Sequence, residues 1–399
     1  MAARASGLIE AAGSTTGDPV TFLIYSPFPK YSGGRENWLH NLAPHLKESG
    51  RPVRVIAYAT DRAPFHAVEQ SGIRVAALPS VRYFYDAFRL VNRLTLGLLK
   101  YLDIFFFYPM VAAIYLASTR PRNLVCMNPI PEGMVALLAG VPYVVSVRGE
   151  VAKGLSHPFT FLERPFAWLE RQVLRRARKV LANGRDTQQR LAGSGIASTV
   201  VPNGVDFRRF AEPAPPGELG IELEQKAHGR PVIAFIATLD AMHGVVDAID
   251  CAADLKTREP NFILAMVGKG DVRPFRRRAA ALGLAGWVEF MGETASVVEV
   301  LQRSSIFLGL SRGNGMSMSA LEAMAAGVPM VARDVLTYQQ LIEDGSSGLL
   351  ATSPSEFAER CLELLRDPAT ARSLGQKAQA VARDYDWPRI AKIFLAEMG

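Results

Sequence analysis

Short runs of β-branched and apolar residues alternate with stretches of helical period along most of the chain. In the first half, Val20–Tyr25, Val53–Ala57, Ile73–Leu78, Leu124–Met127, Tyr143–Val147 and Lys179–Leu181 read as strands. Amphipathic stretches lie between several of them. In Glu36–Lys47 the residues Trp38, Leu39, Leu42 and Leu46 share one helical face, and Gly50 follows as a stop. Strands apolar on both faces and separated by helices imply a parallel sheet covered on both sides.

The texture changes at Glu212–Pro231, which is rich in proline and poor in apolar anchors and reads as an interdomain linker. Alternation then restarts with Val232–Ala237, Ile263–Val267, Val288–Phe290, Ile306–Leu310 and Met330–Ala332 as strands, and with helices at Pro368–Ala382 and Trp387–Met398. The expected fold is therefore α/β, with two Rossmann-like doubly wound domains facing across a cleft. The expected divisions are a disordered tail over 1–18, an N-terminal domain over 19–207, a linker over 208–231, a C-terminal domain over 232–385, and a last helix over 386–399 that could cross back to the first domain.

Composition narrows the class. The 399 residues are 49% hydrophobic and 21% charged, which describes a packed globular chain and excludes wholesale disorder or a coiled coil. Cys126, Cys251 and Cys361 form no metal-binding spacing and no disulfide framework, consistent with a reducing compartment. The net charge of +7 leaves three kinds of partner open: nucleic acid, an anionic membrane surface and anionic small substrates. No zinc-finger or RNP-type pattern accompanies the charge, so nucleic acid is the weakest of the three. The polar N-terminus lacks the apolar core of a secretory signal, and a cytoplasmic chain is expected, whether free or peripheral to the inner face of the membrane. Phe105–Ala117 is the most apolar stretch, too short to span a bilayer; it reads either as a core helix or as an interfacial helix touching a membrane.

The chemistry-bearing patterns follow. GxxxxGK[ST] is absent, and GxGxxG fails after Gly268–Gly270 and after Gly313–Gly315, which disfavours a P-loop enzyme and a dehydrogenase. Asp384-Tyr385-Asp386 mimics a metal-binding DxD but ends a helical stretch, where a structural surface role is the plainer reading. The informative segment is Ile306–Arg333. A strand gives way to a glycine turn at Gly313–Gly315, and a helix starting near Met316 or Ser317 carries Glu322 and ends at Gly327. Free backbone N–H groups at such a helix start suit an anion, and a carboxylate two turns in suits a pair of sugar hydroxyls.

This segment resembles the C-terminal signature of glycosyltransferase family 4. Further matches fall in order along the chain: Pro27–Leu46, Pro142–Glu150, Val201–Asp206, Phe262–Gly270 and Val288–Gly292. The resemblance implies a GT-B fold and a metal-independent enzyme without a cofactor. That enzyme transfers a sugar, with retained anomeric configuration, from a nucleotide-sugar donor to a glycan or lipid-linked acceptor, as in polysaccharide biosynthesis. By resemblance the donor is held by Gly33, Gly34, Thr238, His243, Lys269, Gly292, Gly315, Met316, Ser317 and Glu322. Glu36 and Glu150 fall on the acceptor side, and Arg148 and Asn314 occupy catalytic positions. Arg148 stands where many members carry His; it can donate hydrogen bonds but cannot serve as a general base.

Three positions depart from the family pattern. Asn314 replaces the first glutamate of the signature, Thr238 stands at an expected arginine, and His243 stands at an expected lysine within Leu239-Asp240-Ala241-Met242-His243. Lys269 or Arg312 could supply the missing positive charge. These replacements keep a second reading open, in which a catalytically degenerate relative binds a glycan, a nucleotide or a partner subunit.

Overall fold

The computed structural model describes residues 17–28, 34–58, 67–70, 73–80, 101–149, 160–294, 296–312 and 315–398. The chain divides into two compact units, 1–202 with 390–399, and 203–389.

The first unit is built on a sheet of strands β1 (Val20–Leu23), β2 (Val53–Tyr58), β3 (Ala67–Gln70), β4 (Ile73–Leu78), β5 (Asn123–Cys126), β6 (Tyr143–Val147), β7 (Lys179–Ala182) and β8 (Thr199–Val200). Their spatial order is β3-β4-β2-β1-β5-β6-β7-β8, parallel throughout except for the β3–β4 pair. Strand order reverses between β1 and β5, where Val20 sits between Val53 and Asn123. In an open α/β sheet ligands gather at the carboxyl ends beside such a switch.

Alternate residues of each strand serve opposite faces. Leu23, Ile56, Leu124, Val145 and Val180 share one core with Tyr108, Ala112 and Leu116 of the Tyr108–Thr119 helix and Val173 and Leu174 of the Glu163–Arg176 helix. On the other face Phe22 meets Trp38 of the Gly34–Glu48 helix edge-on and stacks on Phe394 at 5.7 Å. Phe394 belongs to the Trp387–Met398 helix, which begins in the second unit and ends in the first. The four apolar residues read as one face of the Gly34–Glu48 helix are all fully buried.

The second unit holds β9 (Val232–Ile236), β10 (Ile263–Val267), β11 (Val288–Gly292), β12 (Ile306–Gly309), β13 (Met330–Arg333) and β14 (Leu349–Ala351). Their order is β11-β10-β9-β12-β13-β14, with every pair parallel. Along β9, Val232, Ala234 and Ile236 face one core while Ile233 and Phe235 face the other. The switch lies between β9 and β12.

Two expectations need revision. The stretch 208–231, read as a linker, contains a helix at Glu218–Ala227 whose Leu223 and Ala227 are buried in the core of the second unit, and the division between units falls at 202/203. The signature helix starts at Met318, with Ser317 as its cap, rather than at Met316 or Ser317. The apolar stretch Phe105–Ala117 is helical, and among the described residues no helix is long and apolar enough to cross a membrane. The N-terminal tail lies outside the described residues except for its last two positions.

Candidate active site

In the second unit the loops at the carboxyl ends of β9, β10, β11 and β12 are laced together by their backbones. The N–H of Ala237 donates to the carbonyl of Val267 at 3.1 Å and that of Leu239 to Lys269 at 2.7 Å, while Gly268 donates to Gly292 at 2.8 Å. These crossings leave no room for side chains. A Cβ on Gly268, whose φ is +145°, would lie 1.8 Å from the Ala237 oxygen. A Cβ on Gly244 would lie 2.5 Å from the oxygen of Leu310, tying the β9 loop to the end of β12. Thr238, His243, Lys269 and Gly292 therefore sit on one connected rim.

The β12 loop completes this rim. Gly315 has a φ of +95°, a conformation glycine adopts freely. Met316 is buried, and its carbonyl accepts from the Asn203 side chain at 2.6 Å. Ser317 caps the Met318–Ala325 helix, its Oγ accepting from the Ala320 N–H at 3.2 Å. Glu322 follows on this helix. Its carboxylate is half-buried and has no hydrogen-bond partner among the described residues. Desolvation pushes its pKa up to about 7, against a weaker opposing pull from Arg209. A carboxylate held partly out of water with no protein donor is suited to accept from the hydroxyls of a ligand.

The positive charge of this edge is arranged differently from the family pattern. Asp240 folds back on its own turn, accepting both the backbone N–H of His243 at 2.9 Å and contacting the ring Nδ1 at 2.7 Å. A ring held through Nδ1 presents its other nitrogen, Nε2, away from the turn. Arg312 pairs with Asp247 at 3.0 Å, and Asp247 also binds Arg333. Among the described residues, two guanidiniums against one carboxylate leave one positive charge in excess at the ends of β12 and β13. Thr238 is a polar, partly buried residue whose carbonyl accepts from Asp240.

The first unit gathers a second cluster at its own switch. Glu132 is fully buried; its Oε1 accepts from the Tyr25 N–H at 2.9 Å and from Arg35 at 3.1 Å, and its Oε2 has no partner among the described residues. Burial outweighs the Arg35 charge and brings its pKa up to about 7. Glu36 is buried beside Arg35 at 3.8 Å. At the end of β6, Arg148 lies 3.5 Å over the Trp38 ring and donates from Nε to Ser146 at 3.0 Å. Burial pulls its pKa down, but a guanidinium stays protonated in a protein, so it acts as a donor and a fixed charge. Gly34 opens the Gly34–Glu48 helix, and a Cβ there would meet nothing within 4 Å, so the chain's own packing does not demand glycine.

Gly33, Glu150 and Asn314 lie outside the described residues. The sequence reading missed Glu132, Asp247 and the Asn203 anchor. A lone glutamate after β5, within Pro129–Gly133, was the available signal for the first. The DxD-like tripeptide is structural: Asp384 pairs with Arg389 at 2.6 Å, and Asp386 accepts from the N–H groups of Phe207 and Trp387. No group of three His, Cys, Asp or Glu side chains that could hold a metal occurs among the described residues.

Comparison with known proteins places these clusters in context. Residues 33–204 match the family model described as "Glycosyl transferase 4-like domain", and residues 221–381 match "Glycosyl transferases group 1". The chain belongs to the GT-B-fold glycosyltransferase superfamily. Sucrose-phosphate synthase from Thermosynechococcus elongatus has the same fold, with a TM-score of 0.78 at 17% identity over 96% of this chain and 98% of that one. The Anabaena protein Alr3699/HepE, solved in complex with UDP and glucose, aligns with a TM-score of 0.73 at 20% identity over 96% and 99%. Among curated relatives, the D-inositol 3-phosphate glycosyltransferase of Nocardia farcinica is 28% identical over 208 residues, 48% of this chain and 45% of that protein. The matched region spans about half the length of the curated relatives.

Proposed function

We propose that this glycosyltransferase-fold chain is a retaining enzyme of family 4, moving a sugar from a nucleotide-sugar donor to a glycan or lipid-linked acceptor without a metal. The observation that carries the reading is Glu322: a desolvated carboxylate with no protein donor among the described residues, on the helix capped by Ser317. A ribose diol would supply two donors to it. The charge of the Arg312 and Arg333 guanidiniums, set against the single Asp247 carboxylate, suits a diphosphate there.

The chemical demand is a departing diphosphate that gains negative charge while the sugar becomes oxocarbenium-like, and fixed donors aimed at that charge lower the barrier. His243 Nε2 and the residual guanidinium charge would take the parts that an arginine and a lysine play in the family pattern. UDP in the HepE complex makes UDP-sugars the first donors to try. In the first unit, Arg148 and Glu36 would face the acceptor.

A thermal-shift and calorimetric panel of UDP-, GDP- and ADP-sugars tests the reading, because a ligand that prefers the folded state raises the melting temperature. Selective stabilisation by one donor, lost in Glu322→Ala, supports it; no stabilisation by any donor counts against it. The second reading, a binding subunit without turnover, is favoured by Thr238 and His243 standing where two cations are expected. Donor binding without hydrolysis or transfer to any acceptor would select it.

A further inference from the structure

The helical layer that covers one face of the first unit's sheet carries several large apolar side chains on its outer surface. Ile104, Tyr108, Ala112 and Leu116 face the core, and Val173 and Leu174 of the Glu163–Arg176 helix join the same core cluster. The two helical segments also touch each other directly: Phe105 stacks on Phe166 at 5.1 Å, and Tyr101 on Phe166 at 6.3 Å. Their opposite faces therefore point outward on the same side of the unit.

Phe106, Met110 and Ile114 recur every four residues on that outer side and are 69%, 58% and 66% exposed. Trp168 is 62% exposed on the neighbouring helix. Arg164, Arg171 and Arg175 fall on the same stripe as Trp168, within about 60° at ~100° per residue. All three arginines are exposed and have no carboxylate partner among the described residues. Glu163 is the exposed acidic residue of that helix's first turn.

We infer that this surface docks the first unit on an anionic lipid bilayer. Large apolar side chains that reach outward without covering one another gain by entering the acyl boundary, and an aromatic flanked by arginines suits the headgroup level. Charge decides between occupants. A bilayer with anionic headgroups complements three exposed guanidiniums that have no carboxylate partner among the described residues, whereas a two-fold contact with a second copy would bring two net-basic faces together. The inference does not depend on the donor reading, since none of these residues belongs to either site described above.

The test uses the full chain and vesicles of phosphatidylcholine, alone or mixed with phosphatidylglycerol. The expected result is co-sedimentation with the mixed vesicles only, weakening as salt is raised, with Trp168 fluorescence quenched by lipid-borne quenchers and the quenching absent in Trp168→Phe. Phe106→Asp with Met110→Asp should lower partitioning at least ~10-fold, and Arg171→Glu by about 5-fold or more, at unchanged melting temperature. Absence of binding to anionic vesicles, equal binding to neutral ones, or no Trp168 quenching overturns the proposal. So does a concentration-dependent dimer that Phe106→Asp abolishes, which would make this face a contact between copies. The quenching measurement on the unmodified chain stands even if the charged variants fail to fold.

Discussion

The side-chain amide of Asn203 donates to the main-chain carbonyl of Met316 at 2.6 Å, joining residues 113 positions apart. A carbonyl can only accept, so this contact also fixes which way the amide points. Asn203 is buried, and the next residue, Gly204, lies so close to Trp387 that a Cβ would fall 2.5 Å from its ring. The short segment after β8 is thus clamped against both the signature loop and the start of the last helix. Asn203→Ala strands a buried carbonyl and should cost about 1–3 kcal/mol. The expected outcome is a lower denaturant midpoint together with a several-fold loss of nucleotide affinity, because residues 315–317 lose their anchor. A stability loss with unchanged affinity would separate the anchor from the ligand site.

Glu322 predicts a pH dependence with a definite sign. Its folded pKa of about 7 lies above the ordinary 4.5, so the unfolded chain ionises first. This group's contribution to stability is complete below about 4.5 and is lost as pH rises through about 7. Glu322→Gln removes that loss, so the melting-temperature difference between variant and wild type should grow between pH 5 and 8 and then level off. The integrated effect is on the order of 3 kcal/mol. If the carboxylate accepts from ribose hydroxyls, nucleotide binding should weaken by up to ~10-fold per unit as pH falls below about 7, and the Gln variant should lose that slope. Calorimetry in buffers of different ionisation enthalpy would register the proton released on binding.

Much of this architecture was legible beforehand, for a physical reason. Strands buried on both faces write nearly continuous apolar runs, and β6 and β10 match their readings to the residue. The missed strands are short edge or near-edge pieces: Ala67–Gln70, Thr199–Val200 and Leu349–Ala351. Too few apolar positions mark them, and pairing with a neighbour is what makes them strands. The Glu218–Ala227 helix escaped because proline and glycine flank it and few apolar residues anchor it. At the site, Ser317 and Glu322 were readable because they lie on one continuous motif. Glu132, Asp247 and Asn203 were not, because their roles arise only when the sheet order brings distant segments together.

Gly268 tests how strictly the loop lacing is required. Alanine there would need to keep φ near +145° and place its Cβ 1.8 Å from a carbonyl oxygen. Neither is tolerable without moving the backbone, so Gly268→Ala should cost roughly 3 kcal/mol or more. Gly283 provides the contrast: its φ is also positive, at +66°, but the nearest atom to a Cβ is the flexible Lys256 Nζ at 3.8 Å. Gly283→Ala should cost about 1 kcal/mol, and only the Gly268 variant should lose nucleotide binding. Paired urea titrations with a nucleotide-binding assay would decide this.

Arg148 stacked on Trp38 predicts a graded series on the acceptor side. Arg148→Ala removes both the 3.5 Å stacking contact and the donor to Ser146. A lysine restores a charge but not the planar guanidinium that lies on the ring. The stack contributes on the order of 1–2 kcal/mol when desolvated, so stability should fall in the order wild type, lysine, alanine. For transfer the expected split is a raised acceptor KM with an unchanged donor Kd in all variants, since Arg148 belongs to the first unit and Glu322 with its loop to the second.

The Asp240 and His243 pair predicts coupling rather than two independent losses. Asp240 accepts the His243 N–H and contacts its Nδ1, so it fixes both the turn and the ring. Asp240→Asn keeps an acceptor for the backbone N–H but removes the carboxylate that holds the ring. The expected outcome is a several-fold loss of nucleotide-sugar affinity. His243→Ala should also lose affinity, and adding Asp240→Asn to it should change little further, because both act through one imidazole. His243→Lys restores a permanent cation and should make affinity insensitive to Asp240→Asn. A double-mutant cycle on nucleotide-sugar affinity distinguishes this from two separate structural effects, which would simply add.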